Sequence, residues 1–385
     1  MRKRIVIFTA SIGSGHDQAA ENLKRQLLAI GPGVDVEVID FMNILHPTIS
    51  QFILSTYLKL IDLFPSVYHY IYHITEKIST QGKVSDLITY RYQKKITRLL
   101  SSKYTDMIVF TNPFPAALVS SLKKRGRVNI PTATIITDYT AHSVWLDEMT
   151  DMYFVGCDEL KQDLIKRGVS SKKIIVSGIP IHEKFDLPID KVSVAREIGL
   201  DPNLPTVLVM GGGLGIGPIK EVLDIVEGIN CSMQILVVAG SNDQLKTELE
   251  ARTYGDKHMI KIFGYCNNMH ELMTVSELLI SKSGGLTMTE SISRGLPIIV
   301  VDPIPGQEVV NATHFSNLGA ARLIEDLSGL KDCIIELLFI NPEKRSAMVK
   351  RSYSAAKPNA AKNIASILLV YLEKLYGNDL ASITK

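Results

Sequence analysis

Several short segments of this chain hold residue types that can do chemistry together. Gly13-Ser14-Gly15-His16 follows the apolar run Ile5–Thr9 and puts a histidine at the tip of a small-residue turn. With little side chain at Gly13, Ser14 and Gly15, backbone N–H groups can approach an anion at the start of the following helix. His16 suits catalysis or substrate contact there, since an unperturbed imidazole titrates near neutral pH. A second segment, Asp138-Tyr139-Thr140-Ala141-His142-Ser143-Val144-Trp145, closes a later apolar run and carries the only tryptophan. Asp138 and His142 can polarise an acceptor hydroxyl, while Trp145 can stack on a sugar face or pack beside lipid. The same three residues can equally form a local hydrogen-bonded turn.

The second half of the chain repeats the arrangement. Gly211-Gly212-Gly213-Leu214-Gly215 follows Thr206–Met210 and either cradles a diphosphate or lets two domains approach closely. Ser283-Gly284-Gly285-Leu286-Thr287-Met288-Thr289-Glu290 follows the apolar run Leu278–Ser281. Its glycines and hydroxyls open a helix whose N-terminus suits a nucleotide diphosphate. Glu290, about a turn into that helix, can accept hydrogen bonds from two ribose hydroxyls, or can simply complement the helix dipole. Pro303-Ile304-Pro305-Gly306-Gln307-Glu308 then fixes a loop after another apolar run, with Gln307 and Glu308 suited to sugar hydroxyls.

Other chemistries are disfavoured. Counting from Gly13, the third glycine of a dinucleotide fingerprint is replaced by Gln18, and no Gly-Lys-Ser/Thr phosphate loop is present. His16, Asp138 and His142 lack metal-ligand spacing, so no metal site is expected. Cys157, Cys231, Cys266 and Cys333 are widely separated, which fits a reduced, cytoplasmic protein.

Positioning these loops requires strands that end at them. Ile5–Thr9, Val34–Ile39, Asp106–Thr111, Thr132–Thr137, Asp151–Val155 and Lys173–Val176 read as strands of a first βα series. Thr206–Met210, Ile235–Ala239, Met259–Phe263, Leu278–Ser281 and Pro297–Val301 read as a second. Strands alternating with helical stretches imply mainly parallel sheets. At 385 residues the chain suits two such domains. The boundary is placed near Asp186–Leu204, where Leu187-Pro188 and Asp201-Pro202-Asn203-Leu204-Pro205 punctuate the sequence. Ala360–Tyr376 reads as an amphipathic helix.

Hydrophobic residues make up 46% of the chain, yet no charge-free apolar run reaches the length of about 18 residues expected of a membrane span. The opening MRKRIVIFTASIGSGHD reads as a strand entering a turn, rather than a signal peptide. Net charge is +2, but Met1–Asp186 holds 23 Lys/Arg against 18 Asp/Glu. Between Lys83 and Arg127 lie ten basic residues and only two acidic ones. That stretch is a solvated helix face or a surface attracted to anionic phospholipid; the motifs of a nucleic-acid binder are lacking. Ile49–Glu76, with Phe52, Tyr57 and Phe64, is either a buried helical insertion or an aromatic element touching lipid.

The landmarks Gly13–His16, Asp138–Trp145, Gly178-Ile179-Pro180, Gly211–Gly213, Phe263-Gly264-Tyr265, Ser283–Glu290 and Pro305–Glu308 with Asn311 span nearly the whole chain. In order and spacing they resemble the monogalactosyldiacylglycerol synthase and processive diacylglycerol glucosyltransferase family, related more distantly to the peptidoglycan N-acetylglucosaminyltransferase that makes lipid II. Where many relatives show three glycines before the histidine, this chain reads Gly-Ser-Gly, which keeps a small residue. The resemblance implies an α/β GT-B fold: two Rossmann-like domains facing each other across a cleft, with a C-terminal helix crossing back to the first. It places an acceptor and membrane-associating domain at 1–190, a UDP-sugar domain at 191–357 and the crossing helix at 358–385. It implies inverting transfer of glucose or galactose from a UDP-sugar to diacylglycerol, on the cytoplasmic face of a membrane, without an obligatory metal or other cofactor.

Carried over by residue, the resemblance puts Phe263 through Met269 around uracil and Ser283, Gly284, Gly285, Leu286 and Thr287 at the diphosphate. Glu290 meets the ribose, and Gln307 and Glu308 the hexose. His16 falls near the acceptor as base, with Asp138 orienting or replacing it. The same fold admits a polyprenyl-linked acceptor, and a noncatalytic nucleotide-binding membrane protein is the rival from another class.

Overall fold

Continuous apolar runs become strands buried on both faces, as parallel sheets covered by helices require. The computed structural model describes residues 3–11, 13–45, 83–102 and 104–376, with isolated positions between 48 and 76. It divides into two units, Met1–His182 with Asn359–Lys385, and Glu183–Pro358. Phe52, Tyr57, Phe64 and most of the Ile49–Glu76 segment lie outside the described residues.

In the first unit β1 (Lys3–Thr9), β2 (Val34–Asp40), β3 (Met107–Phe110), β4 (Thr132–Ile135), β5 (Met152–Val155) and β6 (Ile174–Val176) form one sheet. The order is β2-β1-β3-β4-β5-β6, and every pairing is parallel. Alternation along β1 sends Ile5 and Ile7 into one core and Val6 and Phe8 into the other. The first core is closed by the helices Ser14–Ile30 and Ala360–Tyr376, the latter through Ile364, Leu368 and Leu372. The helix Ala360–Tyr376 therefore completes the first unit. Burying each of those three aliphatic side chains stabilises the unit by about 1.5–3 kcal/mol.

The second unit repeats the plan with β7 (Thr206–Met210), β8 (Gln234–Val238), β9 (Met259–Phe263), β10 (Leu278–Ser281), β11 (Ile298–Val301) and β12 (Ala321–Ile324). Its order is β12-β11-β10-β7-β8-β9, again with parallel pairing throughout. The sequence reading anticipates each of these strands except β12. That strand is a four-residue edge paired only to β11, and only Ala321 is buried, so its apolar signal is weak.

Each strand order reverses once beside a central strand. In the first sheet the reversal lies between β1 and β3, in the second between β7 and β10. Open α/β sheets bind ligands outside the carboxyl ends of strands at such a point. The turn bearing His16 follows β1, the glycine-rich turn Gly211–Gly217 follows β7, and Ser283-Gly284-Gly285 follows β10.

Candidate active site

Gly13 has φ +146° and precedes the helix Ser14–Ile30 with no side chain capping its first turn. A methyl group at Gly13 would meet nothing within 4 Å, so glycine is required here by backbone conformation rather than by crowding. The turn is anchored from below. Asp17 accepts hydrogen bonds from the Thr9 hydroxyl at 2.7 Å and, through its other oxygen, from the Ser11 hydroxyl at 2.8 Å. Asp40, at the end of β2, lies 2.9 Å from the same Ser11 hydroxyl and accepts from the Met42 N–H at 2.9 Å.

His16 stands half-buried on this platform. Its Nδ1 lies 2.9 Å from the hydroxyl of Thr137, a buried residue just beyond β4. Its ring packs against Trp145, with centroids 6.0 Å apart and planes tilted by 60°. Burial pushes the imidazole below its ordinary pKa, against the opposing pull of the Asp138 charge, a backbone hydrogen bond at Thr111 and the Asp17 charge. Histidine is thus neutral at physiological pH, with one ring nitrogen able to take a proton.

The Asp138–Trp145 segment is built as a turn around that histidine. His142 is buried, and its Nδ1 accepts the Val144 N–H at 3.2 Å, capping the short 3-10 helix Ser143–Trp145. That nitrogen is engaged in the turn. Trp145 is 4% exposed, so its ring acts chiefly as the wall beside His16. Gly178-Ile179-Pro180 also has a packing role: the buried Asn22 amide donates to the Pro180 carbonyl at 3.2 Å.

In the second unit, the glycines after β7 permit two turns to touch. The Ser241 N–H donates to the Gly213 carbonyl at 2.9 Å, and a methyl at Gly215 would stand 1.9 Å from the Ala239 carbonyl oxygen. Gly212, by contrast, faces open space at φ +70°. Gly284 precedes the helix Gly285–Ser293 with no side chain capping it, and the Met288 N–H makes the bond back to Gly284. The N–H groups of that first turn lie ahead of the helical ladder, where an anion can receive them.

Ser283 differs from the sequence expectation that its hydroxyl faces a ligand. It is fully buried, and its hydroxyl donates to the Glu308 carbonyl at 2.6 Å. The buried Asn311 amide donates to the Ser283 carbonyl at 3.0 Å, and a Glu308 carboxylate oxygen accepts the Ile304 N–H at 2.8 Å. Ser283, Glu308 and Asn311 therefore knot the loops after β10 and β11 together. Gln307 is half-buried at the start of the helix Gln307–Asn317, behind Gly306 at φ +101°.

Glu290 is half-buried one turn into its helix, and its carboxyl group has no hydrogen bond or ion pair among the described residues. Desolvation pushes its carboxyl up to about 8. Such a group gains from hydroxyl donors, which replace lost water and favour the ionised form. Phe263 ends β9 half-buried, and Met269, also half-buried, starts the helix Met269–Val275 across the intervening loop.

The basic stretch divides by environment. Lys94, Arg98 and Arg127 are exposed. Lys123 is instead committed to Asp151 at 2.8 Å, and Lys124 pairs with Glu148 at 2.7 Å. Among the described residues no helix is long and apolar enough to cross a membrane.

Two residues of the site carry no sequence signature of their own. Thr137 ends an apolar run and reads as strand, although its hydroxyl meets His16. Lys282 reads as the residue before a glycine turn, although its side chain is almost wholly buried.

The profile of the monogalactosyldiacylglycerol (MGDG) synthase family matches residues 16–181, and that of the glycosyltransferase family 28 C-terminal domain matches residues 206–364. Processive diacylglycerol beta-glucosyltransferases of Bacillus cereus and Bacillus anthracis are each 31% identical to this chain over 367 residues, covering 95% of it and 93% of theirs. The solved structure of Acinetobacter baumannii MurG matches with a TM-score of 0.61 at 14% identity, over 95% of this chain and 98% of its own. UDP-GlcNAc 2-epimerase from Neisseria meningitidis gives a TM-score of 0.58 at 16% identity, over 96% of this chain and 100% of its own. Likeness at such identities concerns the fold, which a transferase and an epimerase share. The two parallel sheets and the returning helix are those of a GT-B fold, and the chain belongs to the family of MGDG synthases and processive diacylglycerol beta-glucosyltransferases.

Proposed function

We propose that this chain is an inverting hexosyltransferase that moves glucose or galactose from a UDP-sugar to the hydroxyl of diacylglycerol, yielding a β-glycosyl glycolipid. The observation that carries this reading is the pairing of chemistry with topology in each unit. One switch point holds a neutral, anchored histidine; the other holds an open helix start followed by a carboxyl group without a partner among the described residues. The first suits an acceptor hydroxyl and the second a nucleotide diphosphate with its ribose. Relatives named as diacylglycerol glucosyltransferases, aligned over almost the whole chain, support the acceptor class.

In this mechanism the Thr137 hydroxyl oxygen accepts from His16 Nδ1–H, leaving the Nε2 lone pair to act as base. The acceptor oxygen attacks the anomeric carbon opposite the diphosphate, and its proton passes to Nε2. The bond from that carbon to the diphosphate oxygen breaks, and UDP departs with the electron pair. Asp138 steadies the imidazolium through its charge. Backbone N–H groups at Gly284–Thr287 receive the developing negative charge, so no obligatory metal is required. Glu290 holds the ribose, Gln307 and Glu308 orient the hexose, and Phe263 with Met269 frames the base.

The lipid acceptor requires docking from the cytoplasmic side of a membrane, for which the exposed Lys94, Arg98 and Arg127 offer charge complementary to anionic phospholipid. The test is transfer of labelled sugar from UDP-glucose and, separately, UDP-galactose into liposomes containing diacylglycerol, with products separated by chain length. Labelled glycolipid is the expected result and names the donor. Absence of lipid product with both donors, alongside transfer to a polyprenyl-linked acceptor, would overturn the acceptor assignment.

A further inference from the structure

Lys282 sits at the switch point of the second sheet without a role in the mechanism above. It is 8% exposed and has no hydrogen bond or ion pair to any described residue. A lysine whose stem is buried this far while its ammonium has no protein partner is uncommon. The fold nevertheless makes room for it. Ser281 is in register with Met210, which sets Lys282 beside Gly211. Its stem then runs along Gly217, where an added methyl would stand 3.1 Å from Cε and 3.7 Å from Cδ. With Met210, Gly211, Ile216 and Pro218 it lines a cavity beneath the glycine-rich turn.

Two helix starts flank this lysine. The helices Ile219–Glu227 and Gly285–Ser293 both begin here, and neither has a side chain capping its first turn. Two open helix N-termini converge with one unpaired cation, so the missing partner is an anion. Apolar walls on the sheet side (Val209, Ile280, Val301) complete the cavity, and no carboxylate lines it among the described residues.

We infer that Lys282 binds the diphosphate of the nucleotide donor and neutralises the charge that collects there as the bond to the sugar breaks. This rests on the reading of the second unit as the UDP-sugar site. Its charge does work that the N–H groups of Gly284–Thr287 share, and Gly217 is small so that the stem can pass.

The test is calorimetric titration of UMP and UDP into the full chain, comparing wild type with Lys282→Met and Lys282→Arg. Lys282→Met should weaken UDP binding by about tenfold or more and UMP binding by much less, since a charge-assisted contact is lost mainly at the second phosphate. Lys282→Arg, which keeps the charge, should retain most of the UDP affinity. The ligand-free Lys282→Met protein should melt no lower than wild type, because the ammonium has no protein partner to lose and methionine refills the path of the stem along Gly217. Wild-type UDP affinity in Lys282→Met would overturn the inference. So would an equal loss of UMP and UDP accompanied by a lower melting temperature, which would mark the lysine as structural. Failure of wild-type protein to bind either nucleotide would overturn the donor-site reading together with this one, a result distinguishable from the other two.

Discussion

The Thr137 hydroxyl lies 2.9 Å from Nδ1 of His16, joining residues 121 positions apart across the carboxyl ends of β1 and β4. In the proposed mechanism this hydroxyl accepts Nδ1–H, which leaves the lone pair on Nε2 and stabilises the imidazolium once formed. Thr137→Val should therefore lower kcat by about tenfold or more with little change in KM for the UDP-sugar. Thr137→Ser, which keeps the hydroxyl, should restore most of the rate. Equal losses in the Val and Ser variants would show that the methyl group, and so packing, is what matters.

His16→Ala should cut turnover by about 100-fold or more while leaving UDP affinity nearly intact, as expected for loss of a positioned base. The pH profile gives a second readout. Burial lowers the His16 pKa, and the Asp138 charge works against that shift. Asp138→Asn should lower the pKa further and move the acid limb of kcat/KM to lower pH. A limb that stays in place would assign the titration to another group.

Glu290 is mostly protonated at pH 7 in the free protein, its carboxyl being pushed up to about 8. Ribose hydroxyls that donate to it favour the carboxylate and draw its pKa down, so UDP binding should release a proton. Affinity should rise as pH increases toward 8 and then level off. Calorimetry in two buffers of different ionisation enthalpy measures this directly; identical apparent enthalpies would falsify the ribose contact. Glu290→Ala should weaken donor binding.

Leu368 sits fully buried in the returning C-terminal helix, in one core with Ile5, Leu23 and Phe154. Leu368→Ala should destabilise the first unit by about 2–5 kcal/mol in urea unfolding, through lost burial and a residual cavity. A near-neutral change would mean that the helix contributes little to that core.

The basic residues should separate by role. Charge reversal at Lys94, Arg98 and Arg127 should weaken binding to anionic liposomes, increasingly at low salt, and leave the melting temperature near wild type. Lys123→Met should act on stability instead. Burial alone would raise the Asp151 carboxyl, but bonds from Lys123 and Thr132 hold it below its ordinary pKa. Its ionised form therefore stabilises the fold above the unfolded pKa, and that contribution fades as pH falls. Loss of Lys123 should lower stability most near neutral pH. Liposome binding unchanged in the triple reversal would make this face a merely solvated one.

A UDP-GlcNAc 2-epimerase shares the fold with this chain, so topology alone does not select a reaction. The residues at the switch points do. Strands such as β7 and β10 were legible because strands buried on both faces are written as unbroken apolar runs, and the glycine turns stand where those runs stop. The helix Ala360–Tyr376 was legible from its periodicity after Pro358. These are local signals, set by residues close together in the chain.

What only the tertiary structure decided depends on partners far apart in sequence. Strand order put the turns after β1, β7 and β10 at the two reversals, although periodicity names no neighbours. Ser283 has the residue type of a phosphate contact, but its hydroxyl turns inward to Glu308, and His142 is drawn into capping its own turn. Thr137 and Lys282 had no local signature, and each became significant through what packing placed beside it. Sequence thus determined which residues were available for chemistry near each loop. The fold decided which of them remained free, because every buried polar group must first satisfy its hydrogen bonds within the protein.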